Sequence, residues 1–122
     1  MATREEFISA YLRTREKDSE QDFWAFEQMG QLHWENSPEV VDVTFALIEA
    51  CQSDAELAYV AAGPVEDLLW SGNESNFATF AAACERSPKV LRAMTMLAWA
   101  EEDPMYSQWQ ALLAKHGVRE AQ

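Results

Sequence analysis

The middle of this chain contains neither Lys nor Arg. Residues 18–85 include no Lys or Arg but fourteen Asp and Glu, and we call this stretch the acidic segment. The segments before and after it each carry a net charge of +1, so the formal net charge of −12 arises in the acidic segment. Carboxylates without neighbouring cations repel one another and attract a basic partner. Phosphates would be repelled, and we therefore expect no nucleic-acid partner.

Cysteine and long apolar runs are also scarce. Cys51 and Cys84 are the two cysteines, and they stand in apolar surroundings without C-x-x-C spacing, which predicts buried and reduced thiols. No apolar run approaches the roughly 20 residues that a membrane-spanning helix needs. The first twenty residues lack the apolar stretch of a signal peptide. We therefore expect a cytoplasmic protein that makes no membrane contact.

Length and composition favour one folded domain. A chain of 122 residues is long enough to bury a core without metals or disulfides. Hydrophobic residues make up 48% of the chain, which is too much apolar material for a disordered segment. We therefore predict a single helical domain over residues 1–122.

Helix start signals recur along the chain. Two segments fit the capping box, in which a hydroxyl accepts one free amide and a Glu reaches back for another. Three further sites place a capping side chain before a proline, which is tolerated at the first helical position. The capping boxes begin at Thr3 and Ser53, the Pro-containing starts are Ser37-Pro38, Ser87-Pro88 and Asp103-Pro104, and further candidate caps are Asn73 and Ser19.

The sequence pattern also predicts the fold class. No segment alternates with period two next to hairpin turns, so strands are not supported. Residues 37–50 are similar to residues 87–100 at an offset of 50, as in the helix pairs of solenoid proteins. We predict an all-α fold of six or seven short helices, packed as helical hairpins in a compact bundle or a short solenoid-like stack.

A Gly-Pro step in mid-chain precedes two adjacent carboxylates, Glu66 and Asp67. Gly63 suits the left-handed residue that ends one helix, and Pro64 suits the start of the next. The two carboxylates then fall in a first turn, where negative charge is favoured by the helix dipole. The alternative is a catalytic pair, but adjacent residues of a helix point about 100° apart. The structural interpretation is therefore preferred.

These residues also carry a resemblance to a known family. The motif Gly63-Pro64-Val65-Glu66-Asp67-Leu68-Leu69, followed by an Ala-rich helix, Ser87-Pro88 and a Trp-bearing helix, resembles a small bacterial domain of unknown function. That family has a "GPLEDLL"-like core and a later "dP…L…vW" pattern, and the present chain differs in having Val65 in place of Leu. The resemblance extends loosely to residues 23–34. It implies an all-helical domain and supplies no enzymatic function.

Catalytic and metal-binding motifs are missing. His33 and His116 are the only histidines, and neither has partners at a recognised metal-ligand spacing. There is no Gly-rich phosphate loop, no nucleophile elbow and no cysteine with a plausible histidine partner. We therefore predict no enzyme activity, no metal and no cofactor.

An aromatic residue among carboxylates and amides suggests a protein-binding surface. On an ideal helix, Trp24 shares a face with acidic and amide side chains, whereas Phe23, Phe26, Gly30 and Trp34 point towards a core. Acidic residues also line the outer face of the helix that follows Ser37-Pro38. An aromatic side chain set in a polar face has the composition of a binding hot spot. We call eight residues the predicted patch: Glu20, Trp24, Glu27, Gln28, Gln31, Glu35, Glu39 and Asp42.

Two alternatives oppose this hypothesis. Trp24 would be part of the core if Phe7 or Tyr11 from the first helix covered it. The acidic residues would then form an ordinary solvated face of an amphipathic helix.

Three function classes remain. The favoured hypothesis is an inhibitor that binds a basic protein target, such as the immunity protein of a bacterial toxin or an antagonist of a defence enzyme. The second is a helical scaffold or adaptor in a larger complex, which exposure of Met94, Met96, Trp99 and Trp109 would favour. The third is an enzyme that uses the mid-chain carboxylate pair. The sequence names no target and no oligomeric state.

Overall fold

The computed structural model describes residues 3–16, 20–69 and 73–120. These ranges contain helices and turns but no strand, so the predicted all-α fold is confirmed. The elements in chain order are α1 (Arg4–Arg13), a 3-10 turn (Glu20–Asp22), α2 (Phe23–Trp34), α3 (Glu39–Ala50), α4 (Asp54–Val60), a π turn (Ala61–Val65), α5 (Glu66–Leu69), α6 (Glu74–Cys84), α7 (Pro88–Thr95) and α8 (Tyr106–Lys115). With residues 54–69 counted as one helical run, the described chain has seven helices, as predicted.

The contacts divide the chain into two compact units, Met1–Val60 and Ala61–Gln122. Unit 1 contains α1 to α4, and unit 2 contains the π turn and α5 to α8. Each unit buries its own apolar side chains, among them Leu47 and Ile48 in unit 1 and Phe80 and Trp109 in unit 2. The single domain over residues 1–122 stays a prediction.

Several predicted caps are confirmed. At the start of α1, the Glu6 amide donates to Thr3 Oγ1 at 3.1 Å, and the Glu6 carboxylate accepts from the Thr3 amide at 3.4 Å. At the start of α7, Ser87 Oγ accepts from the amide of Val90 at 3.2 Å and Pro88 occupies the first turn. These side chains bind amides that have no partner within the helix.

Other predicted start signals are confirmed only in part or not at all. Ser53 Oγ accepts from the Glu56 amide at 3.1 Å, but the Glu56 carboxylate accepts from Gln52 rather than from Ser53. The prediction that Asp103-Pro104 opens a helix is wrong. Asp103 instead accepts from the Ala100 amide at 2.7 Å, which closes a turn ahead of α8. Asn73 caps α6 as predicted, whereas Ser19 lies outside the described residues.

The Gly-Pro step does not separate two helices, and this prediction is also wrong. Gly63 and Pro64 lie inside the π turn, which follows α4 directly and leads directly into α5. Proline has no amide hydrogen and its ring clashes with the carbonyl four residues earlier. A π turn has wider hydrogen-bond spacing, and such turns accommodate an interruption of this kind.

Helix ends with left-handed backbone occur elsewhere. Among the described residues, Asn36 has a φ of 53° after α2 and Gly117 has a φ of 68° after α8. Behind α8, the amide of Val118 donates to the carbonyl of Leu113 at 3.0 Å, the pattern of a Schellman cap.

In unit 1, an ion pair joins the end of α1 to the start of α2. Arg13 Nε donates to Asp22 Oδ2 at 3.0 Å, and Arg13 Nη2 donates to Asp22 Oδ1 at 2.9 Å. Asp22 is buried, and it is the residue immediately before α2. The hydrogen bonds from Arg13 hold the pKa of the Asp22 carboxyl below its usual range. The pair fixes where α2 begins relative to α1.

In unit 2, a buried indole completes the end of α7. Trp109 is fully buried, and its Nε1–H donates to the carbonyl of Met94 at 2.7 Å. The last four carbonyls of a helix have no partner within the helix, so the indole satisfies one of them. The rings of Trp99 and Tyr106 meet Trp109 edge-on, with centroids at 5.5 and 5.8 Å.

The predicted repeat appears at the starts of α3 and α7. Helix α3 begins directly after Ser37-Pro38 and α7 begins at Pro88, and the two segments bury side chains at positions 50 residues apart. The buried pairs are Val40 and Val90, Val43 and Ala93, Thr44 and Met94, and Leu47 and Leu97. The copies diverge at their ends: α7 ends at Thr95, where the carbonyl of Met94 accepts from the Trp109 indole, whereas α3 continues to Ala50.

We expect Arg13→Lys to lower the melting temperature at neutral pH, because lysine is a point charge and lacks the planar two-donor fork of arginine. The pair stabilises the fold at pH values above the ordinary Asp pKa of about 4. That contribution is lost as the pH falls towards the lowered pKa of Asp22 in the folded state. Thermal unfolding from neutral to acid pH should therefore show the variant and the wild type converging. A constant gap between them would contradict this role.

We expect Trp109→Phe to destabilise the protein by about 2 kcal/mol or more, because it leaves a buried carbonyl unpaired and removes side-chain volume. The matched control is Trp34→Phe, since Trp34 is 90% exposed. Urea unfolding measures both. Equal stabilities for the two variants would show that the indole hydrogen bond contributes nothing.

Candidate functional site

Helix α2 exposes its large aromatic side chains. Phe23 is 52% exposed, Trp24 39%, Phe26 46% and Trp34 90%, and these are the exposed large hydrophobic residues of the described chain. The prediction that Phe23, Phe26, Gly30 and Trp34 face a core is therefore wrong. Gly30 is exposed as well.

The buried side of α2 consists of smaller residues. Asp22, Ala25 and Met29 are buried, at a spacing of three and four residues that places them on one side of the helix. Because Asp22 turns inward to meet Arg13, the residues at the following positions of the same stripe turn inward with it. The aromatic residues are consequently left on the remaining sides of the helix.

The predicted patch is exposed throughout. Its acidic and amide residues are solvent-exposed, and Gln31 Nε2 donates to Glu35 Oε1 at 2.9 Å. Five of its eight residues line one open depression of about 460 Å³ together with Leu32: Trp24, Glu27, Gln28, Gln31 and Glu35. Glu20 lies in the 3-10 turn before α2, and Glu39 and Asp42 lie on α3. That this patch binds a partner stays a prediction.

Trp24 contacts the first helix with part of its ring and is otherwise open to solvent. Its ring meets Phe7 of α1 with centroids at 6.1 Å and an interplanar angle of 60°. The alternative, in which the first helix covers Trp24, is therefore partly correct: Phe7 covers part of the ring. Tyr11 contacts Phe26 instead, at 6.2 Å and in nearly parallel stacking. Trp24 is held by the fold and still presents surface to solvent.

The aromatic residues form a stacked series from the core outward. Tyr11 is buried, Phe26 stacks on it, and Phe23 stacks on Phe26 with centroids at 5.6 Å. Each outer ring is thereby held by the one beneath it. Rigid, partly exposed aromatic rings provide contact area with little loss of side-chain entropy on binding.

The adjacent mid-chain carboxylates, Glu66 and Asp67, differ in burial. Glu66 is half-buried, and its carboxylate accepts from the Ala98 amide at 3.5 Å, whereas Asp67 is exposed. Burial raises the pKa of Glu66, the Ala98 hydrogen bond opposes this, and the charges of Asp67 and Asp103 raise it further. Both residues lie at the start of α5, but α5 continues the helical run from α4, so they do not occupy the free first turn that the structural interpretation assumed.

The cysteines are buried and free, as predicted. Burial raises the pKa of the Cys84 thiol to about 11, so this residue is a protonated thiol at neutral pH. Cys51 Sγ donates to the carbonyl of Leu47. His116 Nε2 lies 3.7 Å from the Glu85 carboxylate.

Over residues 3–16, 20–69 and 73–120, no three His, Cys, Asp or Glu side chains come together as ligands for a metal ion. In those ranges, every helix is too short or too polar to cross a bilayer.

Comparison with protein-family models, with curated proteins and with solved structures finds no match. The resemblance to the bacterial domain with a "GPLEDLL"-like core therefore rests on the motif residues themselves and stays a prediction. The all-helical fold that it implies is confirmed.

We expect Glu66→Gln to raise the melting temperature at neutral pH. A carboxyl whose folded-state pKa is raised contributes most stability below the ordinary Glu pKa, and that stability is lost as the pH rises through the raised value. Glutamine keeps an oxygen that can accept from the Ala98 amide, and it removes the charge of the half-buried carboxylate. The gain should vanish near pH 4, below which Glu66 is protonated in both states. Asp67→Asn is the exposed control, and a gain for Glu66→Gln that is independent of pH would contradict this account.

Proposed function

We propose that this protein is an acidic protein-binding inhibitor that covers a basic surface of its target with α2. One observation carries the proposal: the large aromatic side chains that the described chain exposes all lie on one helix, next to the carboxylates of the predicted patch. Exposed apolar surface with a polar rim is typical of interaction sites. The absence of Lys and Arg from the acidic segment selects a basic partner.

The inhibitor class follows from charge and size. Catalytic sites of nucleases and other enzymes that act on phosphates are basic, and a small acidic domain can both reach and cover such a site quickly. An immunity protein of a bacterial toxin and an antagonist of a defence enzyme both perform this task. The free, buried cysteines support a cytoplasmic setting, and the "GPLEDLL"-like motif supports a bacterial origin.

The alternative function, a helical scaffold or adaptor, would be favoured by exposed apolar residues in the second half of the chain. Met94, Trp99 and Trp109 are buried and Met96 is half-buried, so the observation that would favour a scaffold is missing at these positions. The inhibitor remains the preferred proposal.

We expect Trp24→Ala to weaken partner binding by about 2 kcal/mol or more, chiefly through faster dissociation, because a buried hot-spot aromatic acts after encounter. Replacing Glu27, Glu35 and Asp42 together with Lys should instead slow association and flatten its salt dependence, because rim charges steer approach. Glu74→Lys on α6 is the matched charge control and should change neither rate.

The partner for these measurements comes from affinity capture in the native cell, with the wild type, Trp24→Ala and the triple Lys variant as parallel baits. A genuine target is retained by the wild type and Glu74→Lys and is depleted from the other two. Binding kinetics at two ionic strengths, and the target's activity with equimolar protein added, complete the test. A captured enzyme that stays fully active when saturated, or association that ignores salt, would overturn the inhibitor proposal.

A further inference from the structure

A glycine lies in the interior of α2 where the fold of unit 1 does not need one. Gly30 is exposed, and a Cβ added to it would meet no atom within 4 Å. Its backbone has ordinary helical geometry, since no positive φ occurs there. Glycine in an exposed helix interior lowers stability relative to alanine. The free protein would therefore be more stable with alanine at this position.

Gly30 occupies the centre of an aromatic stripe. Phe23, Phe26, Gly30 and Trp34 follow one another at intervals of three, four and four residues, which places them along one side of α2. The stripe spans about 16 Å of helix at 1.5 Å per residue. Such spacing is that of a helix that docks its anchors against an apolar partner element. The missing side chain at Gly30 leaves a gap between the anchors Phe26 and Trp34.

Two carboxylates and one amide side chain lie along one edge of this stripe. Glu27, Gln31 and Glu35 follow at intervals of four residues beside it, and all three are exposed. The aromatic stripe and the acidic edge together form an amphipathic surface whose complement is apolar in the centre and cationic at the side.

We propose that the occupant of this surface is a basic amphipathic helix of the partner protein, packed along α2 with its backbone closest at Gly30. The inference rests on the proposed function, and it adds the shape of the partner and the residues that recognise it. A glycine gap allows close backbone approach, the flanking rings contact the partner's apolar face, and Glu27 and Glu35 pair with its Lys or Arg side chains.

Charge argues against two other occupants. A second copy of this chain would bring the carboxylates of one α2 against those of the other, and like charges in apposition oppose association. An anionic lipid surface would repel the same carboxylates. Both remain as outcomes of the experiment.

The experiment uses the full chain and a fluorescent helical peptide. The probe is a Leu/Lys peptide of about 18 residues, or five helical turns, with all leucines on one face. A scrambled peptide of the same composition and a Leu/Glu peptide of the same pattern are the comparators. Fluorescence anisotropy at two ionic strengths measures affinity, and thermal unfolding measures stability of each protein variant.

We expect the Leu/Lys helix to bind saturably, the scrambled peptide to bind about tenfold more weakly or worse, and the Leu/Glu helix not to bind. Gly30→Ala should raise the melting temperature and yet weaken binding, and Gly30→Leu should weaken it by about tenfold or more. Trp34→Ala should also weaken binding. Ala78→Leu on an exposed position of α6 is the matched control and should leave affinity unchanged.

The outcomes separate this inference from the proposed function. If the Gly30 and Trp34 variants bind the peptide like the wild type, or if the Leu/Lys helix does not bind saturably, the basic-helix inference is wrong, while the captured target still tests the inhibitor proposal. A concentration-dependent dimer abolished by Gly30→Leu would identify a second copy as the occupant and overturn the inference. Binding to vesicles containing phosphatidylglycerol that is lost in Trp34→Ala would likewise overturn it.

Discussion

The orientation of α2 depends on the ion pair between Arg13 and Asp22. A carboxylate immediately before a helix would normally stay in water, but here two hydrogen bonds from one guanidinium compensate for its burial. Once Asp22 is fixed on the inner side, the 3.6-residue period determines which later residues turn inward. Ala25 and Met29 fill those positions. The ion pair thus anchors the inner side of α2, and the exposed aromatic rings lie on its other sides.

This dependence explains which part of the site could be predicted. The residues that carry charge or amides, such as Glu27 and Gln31, were assigned to solvent correctly, because polar side chains rarely bury without a partner. The sequence pattern places Phe23, Phe26 and Trp34 in the core because burial of apolar area is the dominant driving force. That reasoning fails for α2, where Asp22 occupies the inner stripe. The missed signal was an Arg at the end of one helix that could pair with an Asp at the start of the next.

The fold was predictable where a single side chain acts locally. Thr3 and Ser87 cap helices because their hydroxyls accept from amides three residues away in sequence, a contact that needs no distant residue. Sequence signals whose role depends on the rest of the unit are not predictable in this way. Gly63-Pro64 continues a helical run through a π turn instead of ending it, and Asp103 closes a turn before α8. At the end of α7, the partner of the Met94 carbonyl is Trp109, fifteen residues further along the chain.

Two unfavourable features of the free protein coincide on α2. An exposed aromatic ring does not contribute the stability that burial of a Phe or Trp side chain provides. A glycine inside a helix lowers stability because its flexible backbone loses more entropy on folding. Neither is repaid inside unit 1, since Trp34 is almost fully exposed and a Cβ at Gly30 would meet nothing. Stability usually falls below its attainable value at surfaces that serve another purpose. Both costs lie on the same side of one helix. The neighbouring carboxylates belong to the acidic segment, which contains no Lys or Arg. A basic partner that buries the rings would therefore offset both costs together.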